Sequence, residues 1–259
     1  MTEAATVRRP HPIRRRVVRI VIATLVVVAL VAVAFGVYVN MVAGGDREAA
    51  LKVWDNPNIS VTSTDHSVVL EPTGGTGDQS DVGLVFIPGA KVDPYAYMYK
   101  LSGIVERLGV TVVITKPTLN LAFFDTRPLT DFTADAPDVT TWLIGGHSLG
   151  GVRACMLADD PAVAGLVLFG SYCANELSDT DLSVTSIAGE NDGLSTPQKI
   201  ADAAGNLPDD TTFVEIPGAN HASFGDYGRQ SGDGEATISS DEAFDAITAE
   251  LERTVLSLD

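Results

Sequence analysis

The stretch Thr141-Trp142-Leu143-Ile144-Gly145-Gly146-His147-Ser148-Leu149-Gly150-Gly151 sets an apolar run of strand length directly against a glycine-flanked serine. A helical stretch through Cys155 and Met156 follows at once. A serine in that setting belongs on a sharp strand-to-helix turn. Side chains at its two flanking positions would collide with the neighbouring strand and helix, so Gly146 and Gly150 are needed there. The turn lifts the Ser148 hydroxyl above the strand ends. It also leaves the Leu149 amide at a helix N-terminus, able to donate to a developing oxyanion.

Outward from this turn the chain keeps a rhythm. Uninterrupted apolar runs at 82–87, 110–115, 141–144, 163–169, 184–188 and 212–216 have strand length and read as strands buried on both faces. Helix-like stretches at 94–108, 149–158, 197–204 and 241–258 separate them. Strands alternating with helices predict a parallel, doubly wound α/β sheet covered on both faces, with function at the carboxyl ends of the strands. Before it, residues 46–70 read as short alternating segments, among them 59–61 and 67–70, that form an antiparallel edge. The Gly- and Thr-rich piece 72–80 reads as a turn.

The strand-end loops hold the remaining chemistry. After 184–188 the chain reads Gly189-Glu190-Asn191-Asp192-Gly193, which places a carboxylate beyond a strand end: Asp192 is the candidate acid, with Glu190 as a fallback. After 212–216 comes Pro217-Gly218-Ala219-Asn220-His221, and His221 is the candidate base. Serine, acid and histidine in that chain order fit a strand-end triad that differs from the order in other serine-protease folds. His147 occupies the variable place in the serine motif and reads as packing support. His11 and His66 read as solvated. The second oxyanion donor is expected in the loop Pro88-Gly89-Ala90-Lys91. Pro88 has no N–H and Gly89 allows close backbone approach, so the Ala90 amide is the candidate.

The ends of the chain face different surroundings. The net charge is −17, yet Arg8, Arg9, Arg14, Arg15, Arg16 and Arg19 all precede residue 20. An apolar segment follows directly, uncharged from Ile20 to Val39, and Asp46, Arg47 and Glu48 come after it. Its length matches the ~20 residues that cross a ~30 Å hydrocarbon core. The positive-inside rule then makes 1–19 a basic cytoplasmic N-terminus, 20–42 a signal-anchor helix in the cell membrane, and places the rest on the extracytoplasmic side. Cleavage near Ala32 and Ala34, or near Ala43 and Gly44, with secretion, is the alternative; the apolar run is longer than a usual signal h-region and favours the anchor. An acidic globular part has no footprint for nucleic acid. No spacing suggests a metal or organic cofactor, and the acidic residues between Asp226 and Glu242 lack EF-hand spacing and read as a solvated loop. Cys155 and Cys173 read as two buried small hydrophobes, with one disulfide open if the domain meets an oxidising compartment.

These residues together resemble the small bacterial α/β hydrolases of the fold-5 type. The similar stretches are 87–95 (IPGAKVDPY), 120–122 (NLA), 145–151 (GGHSLGG), 165–172 (GLVLFGSY) and 218–228 (GANHASFGDYG). The resemblance implies an α/β-hydrolase domain over 46–259 and an esterase- or lipase-like activity. It carries the triad onto Ser148, Asp192 and His221. Ala90 stands where relatives frequently have a second glycine, and Pro88 where lipases and esterases carry the histidine of a His-Gly-Gly motif.

The expectation is therefore a carboxylesterase-like serine hydrolase acting on a small-molecule acyl ester, without a cofactor. The short connection 170–182 leaves no room for a helical lid. Tyr95, Phe123, Phe124 and Tyr172 are candidates to line an acyl pocket, or else belong to the core. Transfer of the acyl group to a cell-envelope acceptor uses the same residues. A membrane-anchored binding protein on the same fold would keep the shape without the chemistry. Neither substrate nor oligomeric state is legible.

Overall fold

Among the described residues, the runs read as buried strands join an antiparallel hairpin in a single 8-stranded sheet. The computed structural model describes residues 12–74 and 77–258. The chain divides into two compact units, Met1–Met41 and Val42–Asp259. The second holds β1 (Ile59–Ser63), β2 (Ser67–Pro72), β3 (Val82–Ile87), β4 (Thr111–Thr115), β5 (Thr141–His147), β6 (Val163–Phe169), β7 (Ser183–Gly189) and β8 (Thr212–Ile216). Their order is β1-β2-β4-β3-β5-β6-β7-β8. The β1–β2 and β2–β4 pairs are antiparallel, and all others are parallel.

The sheet buries both faces through its middle, which is why the sequence shows unbroken apolar runs rather than alternation. Leu84 and Phe86 of β3 point into a layer shared with Leu101, Ile104, Ile247 and Leu251. Val85 and Ile87 point the other way, toward Ile144, Ala154 and Leu168. The edge strand β8 departs from the expectation of burial on both faces: Thr212, Phe213 and Glu215 are exposed, and only Ile216 is buried. An edge strand has one unpaired side, and a charge on it discourages pairing with another chain.

The helices of this unit are α2 (Arg47–Trp54), α3 (Met98–Leu108), α4 (Thr130–Thr133), α5 (Leu149–Leu157), α6 (Pro197–Asp202) and α7 (Ser240–Leu256). Residues 47–54 were expected to alternate as part of the edge, and they form a helix. The Asp46 side chain accepts the Ala49 N–H at its N-terminus, and Ala49 and Val53, four apart, share the buried face. The connection between β6 and β7, residues 170–182, carries no helix.

The other unit is α1 (Pro12–Asn40). It begins within the basic segment rather than at residue 20, so Arg14, Arg15, Arg16 and Arg19 occupy its first turns. From Ile13 to Asn40 it is long and apolar enough to cross a membrane. Arg8, Arg9 and His11 lie outside the described residues.

Topology locates the site. The chain leaves β3 for β4 on one side and enters β5 on the other, so the β3–β5 junction is a switch point, where the carboxyl ends of two strands open a crevice. Ile87 is paired with Gly146 there. The loops that begin with Pro88 and with Ser148 therefore rise side by side.

Candidate active site

Strand β5 passes into α5 through one residue. Ser148 has φ 53° and ψ −123°, a region that non-glycine residues rarely occupy. Holding it there costs on the order of 1–3 kcal/mol, which the surroundings must supply. The Ser148 N–H donates to Phe169 O at 3.0 Å, and its carbonyl accepts the Ser171 hydroxyl at 2.7 Å. A Cβ at Gly146 would stand 2.4 Å from the Gly150 carbonyl carbon, and one at Gly150 would stand 2.0 Å from Ile87 O. Both glycines are thus fixed by close approach, and the second presses the end of β3 against the start of α5. Among the described residues the amides of Ala90 and Leu149, one from each loop, donate to no group of the protein.

Asp192 and His221 meet as a buried pair. Asp192 Oδ2 lies 2.7 Å from His221 Nδ1, and its Oδ1 accepts the N–H groups of Leu194 at 2.8 Å and Ser195 at 2.7 Å. An ionised carboxylate so held accepts only, so the neutral imidazole carries its hydrogen on Nδ1 and presents a lone pair at Nε2. That Nε2 is buried and has no hydrogen-bond partner, the Ser148 hydroxyl included. A serine–histidine contact of this kind often closes only when a substrate is bound. Glu190 is engaged elsewhere: its Oε2 accepts the Gly218 N–H at 2.7 Å.

The turn Phe169-Gly170-Ser171 separates Ser148 from this pair. Two of its residues bond the Ser148 backbone, as above. Gly170 has φ 47°, and a Cβ there would come 2.9 Å from Asp192 Oδ2 and 3.2 Å from His221 Nδ1. Serine and pair therefore flank the same three residues.

Two supporting residues escaped the sequence reading. Asp233 accepts the N–H groups of Gly193, His221, Ala222 and Gly234 at 2.8–3.1 Å. It lies within the loop expected to be solvated, and the glycines around it are fixed by close approach: a Cβ at Gly234 would stand 1.9 Å from Asn191 O, and one at Gly193 would meet Gly232 O at 2.8 Å. In the same loop Asp226 forms a 2.8 Å ion pair with buried Lys100. Tyr97 is the second. Its hydroxyl accepts the Gly89 N–H at 2.9 Å and lies 2.9 Å from His147 Nδ1. Burial holds the Tyr97 phenol protonated and pushes the His147 imidazole well below its usual range, so the phenol donates to a neutral ring. The His147 ring lies 4.4 Å from that of His221, centroid to centroid, tilted by 46°. His66 is exposed.

Cys155 and Cys173 are both buried, and they are joined: a disulfide ties α5 to the segment after β6. The reading of two separate small hydrophobes is corrected on this point, because the turn after β6 brings the two Cα atoms to 5.5 Å.

A cavity of about 250 Å³ adjoins the turn, lined by Phe123, Asp125, Thr126, Leu149, Val152, Arg153 and Met156. Phe124 stands edge-on to Phe123 at 5.8 Å and is partly exposed. Tyr95 lies elsewhere, with its hydroxyl 2.9 Å from Ser63 Oγ and its ring 6.3 Å from that of Trp54. Tyr172 is half-buried between Ser171 and Cys173. A larger cavity of about 720 Å³, between α2 and the start of α7, has none of Ser148, Asp192 or His221 in its lining.

Comparison with known proteins gives the same architecture. Est1E from Butyrivibrio proteoclasticus superposes with a TM-score of 0.53 at 12% identity, covering 77% of this chain and 100% of that one. A thermophilic esterase from Thermogutta terrifontis, solved with malate bound, gives 0.54 at 13% identity, covering 77% and 97%. Alpha/beta hydrolase domain-containing protein 10 from mouse gives 0.50 at 11%, covering 78% and 99%. At such identities the likeness is one of fold. No curated protein matches the sequence. The model of the alpha/beta hydrolase family matches residues 83–245, from β3 into α7, and with the site geometry above it places this chain in the alpha/beta hydrolase family.

Proposed function

We propose that the globular unit is a serine hydrolase that cleaves carboxylic esters through an acyl-serine intermediate. The observation that carries this reading is the buried Asp192–His221 contact at 2.7 Å, its Nε2 left without a partner beside a serine at φ 53°. In the proposed reaction His221 Nε2 takes the proton of the Ser148 hydroxyl as the oxygen attacks the acyl carbonyl. Asp192 holds Nδ1–H and stabilises the imidazolium. The tetrahedral oxyanion takes hydrogen bonds from the Ala90 and Leu149 amides, each donor lowering the barrier by ~3 kcal/mol. His221 returns the proton to the leaving alcohol, and water, activated the same way, releases the acid. His147 stays neutral beside His221 and so does not oppose the imidazolium with a second charge.

Helix α1 anchors the enzyme, with 1–19 in the cytoplasm, 20–42 in the cell membrane and the hydrolase domain 46–259 outside. Four arginines at the start of α1 and a disulfide in the globular unit support that orientation, since disulfides persist in oxidising compartments.

Labelling with a fluorophosphonate probe tests the chemistry without knowledge of the substrate. The native chain is expected to label and the Ser148→Ala chain to remain unlabelled; labelling that survives the substitution removes Ser148 as nucleophile. Release of a shortened, soluble form without detergent would refute the anchor.

A further inference from the structure

The cavity beside Leu149 contains a cation that has no ion-pair partner of its own among the described residues. Arg153 lies on α5 four residues after Leu149, hence on the same helical face, and both line the cavity. Its Nη2 donates to Arg127 O at 3.1 Å. The carboxylate of the cavity is already taken: Asp125 is held by Arg127 through Nε at 2.8 Å and Nη2 at 2.5 Å, a bidentate pair. No ion pair among the described residues includes Arg153. The rest of the lining is apolar, from Phe123, Leu149, Val152 and Met156, apart from Thr126.

Asp125 and Arg153 are the charged residues of the lining, and because Asp125 is engaged by Arg127 from outside it, Arg153 is left without an ion-pair partner in an otherwise mostly apolar recess of a protein whose net charge is −17. A guanidinium in such a place is held at the expense of its hydration, and its proton affinity is lowered by that burial although Asp125 acts the other way. Most of its five N–H donors, arranged in a fork that matches a carboxylate or phosphate, remain unused.

On the basis of the proposed esterase reading, we infer that Arg153 is an anion subsite, and that the substrate is an ester carrying a second, anionic group, carboxylate or phosphate, a short distance from the scissile carbonyl. Leu149, whose amide takes the oxyanion in the proposed reaction, lines the cavity, and a group that enters beside it reaches Arg153. A recess of about 250 Å³ has room for a short chain ending in a charged group. Arg153 acts by binding and orientation.

Matched ester pairs decide it. On the acyl side, mono-4-nitrophenyl glutarate is compared with 4-nitrophenyl valerate; on the alcohol side, 3-butyryloxybenzoate with phenyl butyrate. The native enzyme is expected to favour the anionic member of one pair by on the order of tenfold in kcat/KM, the scale of one charge-assisted bond. The favoured pair identifies which side of the ester carries the anion. In Arg153→Met the ratio falls to about one, and Arg153→Lys, which keeps the charge without the fork, retains part of it. Calorimetry on the Ser148→Ala chain reads the subsite apart from catalysis: methyl hydrogen glutarate or 3-butyryloxybenzoate is expected to bind, the neutral methyl valerate or phenyl butyrate to bind more weakly, and Arg153→Met to remove the difference. A native ratio near one in both pairs, or a preference that survives Arg153→Met, overturns the subsite and leaves the esterase reading standing. Fluorophosphonate labelling that is absent or insensitive to Ser148→Ala overturns that reading instead, and the calorimetry still decides for or against the subsite.

Discussion

Asp233 accepts the backbone N–H of His221 at 3.1 Å, and the same oxygen accepts the N–H of Gly193, beside Asp192, at 3.1 Å. One carboxylate thus ties the loop that carries Asp192 to the loop that carries His221. Replacing Asp233 by Ala leaves four amides without their acceptor and lets the two loops separate. The expected outcome is a fall in kcat on the order of tenfold or more with KM nearly unchanged, because the Asp192–His221 alignment, rather than the substrate pocket, is disturbed. Steady-state kinetics with any accepted ester check it; an unchanged kcat would reduce Asp233 to an ordinary loop residue.

Gly170 stands where a side chain would enter the pair itself, with φ 47° and a hypothetical Cβ 2.9 Å from Asp192 Oδ2. Gly170→Ala meets backbone strain of roughly 1–2 kcal/mol and a steric conflict with the carboxylate. Activity is expected to fall by on the order of a hundredfold, with a loss of stability of a few kcal/mol at most. A variant that keeps native kcat would show that the pair shifts freely, contrary to its packing.

Much of this was legible in the residues. The strand β5, the serine turn and the two strand-end loops were each marked by a strong local pattern: an unbroken apolar run ended by glycine, or by a turn residue followed by an ionisable one. The helix Arg47–Trp54 was not, because in eight residues its apolar positions fit an alternating pattern nearly as well as a helical one, and the decision came from the Asp46 cap. Asp233 and Tyr97 were invisible for another reason. Each acts across a long sequence separation on backbone groups, and nothing in a sequence records which amide a distant carboxylate or phenol will meet. The disulfide was left open because two cysteines 18 residues apart bond only if a turn returns one to the other.

Reduction of the Cys155–Cys173 bond releases a loop that spans the last residues of α5 and all of β6. For a closed loop of that size the stabilisation is about 3 kcal/mol in the chain-entropy treatment. In a domain of this size that corresponds to a lowering of Tm by roughly 6–12 °C. Calorimetry with and without dithiothreitol measures it, and coincident transitions would mean that the bond contributes nothing to the fold.

His147 confers a pH dependence of stability with a definite sign. Its folded pKa lies well below the ordinary 6.5 because the ring is buried and faces His221, whereas the unfolded chain titrates normally. Between those two values the unfolded chain binds a proton that the folded one refuses. Stability contributed by His147 is therefore present above about pH 6.5 and is lost as pH falls below it, at up to ~1.4 kcal/mol per pH unit. His147→Gln removes this component. Denaturant titrations from pH 7 to pH 5 are expected to show a shallower loss in the variant, and equal slopes would contradict the assignment.

The backbone of residue 148 has one further implication. A dihedral pair of 53° and −123° is uncomfortable for serine and ordinary for glycine. Exchanging the one for the other should yield a chain that melts later than the native protein while losing the alcohol altogether. On the proposed mechanism, thermal robustness and reactivity therefore pull in opposite directions at this one position, at the top of β5.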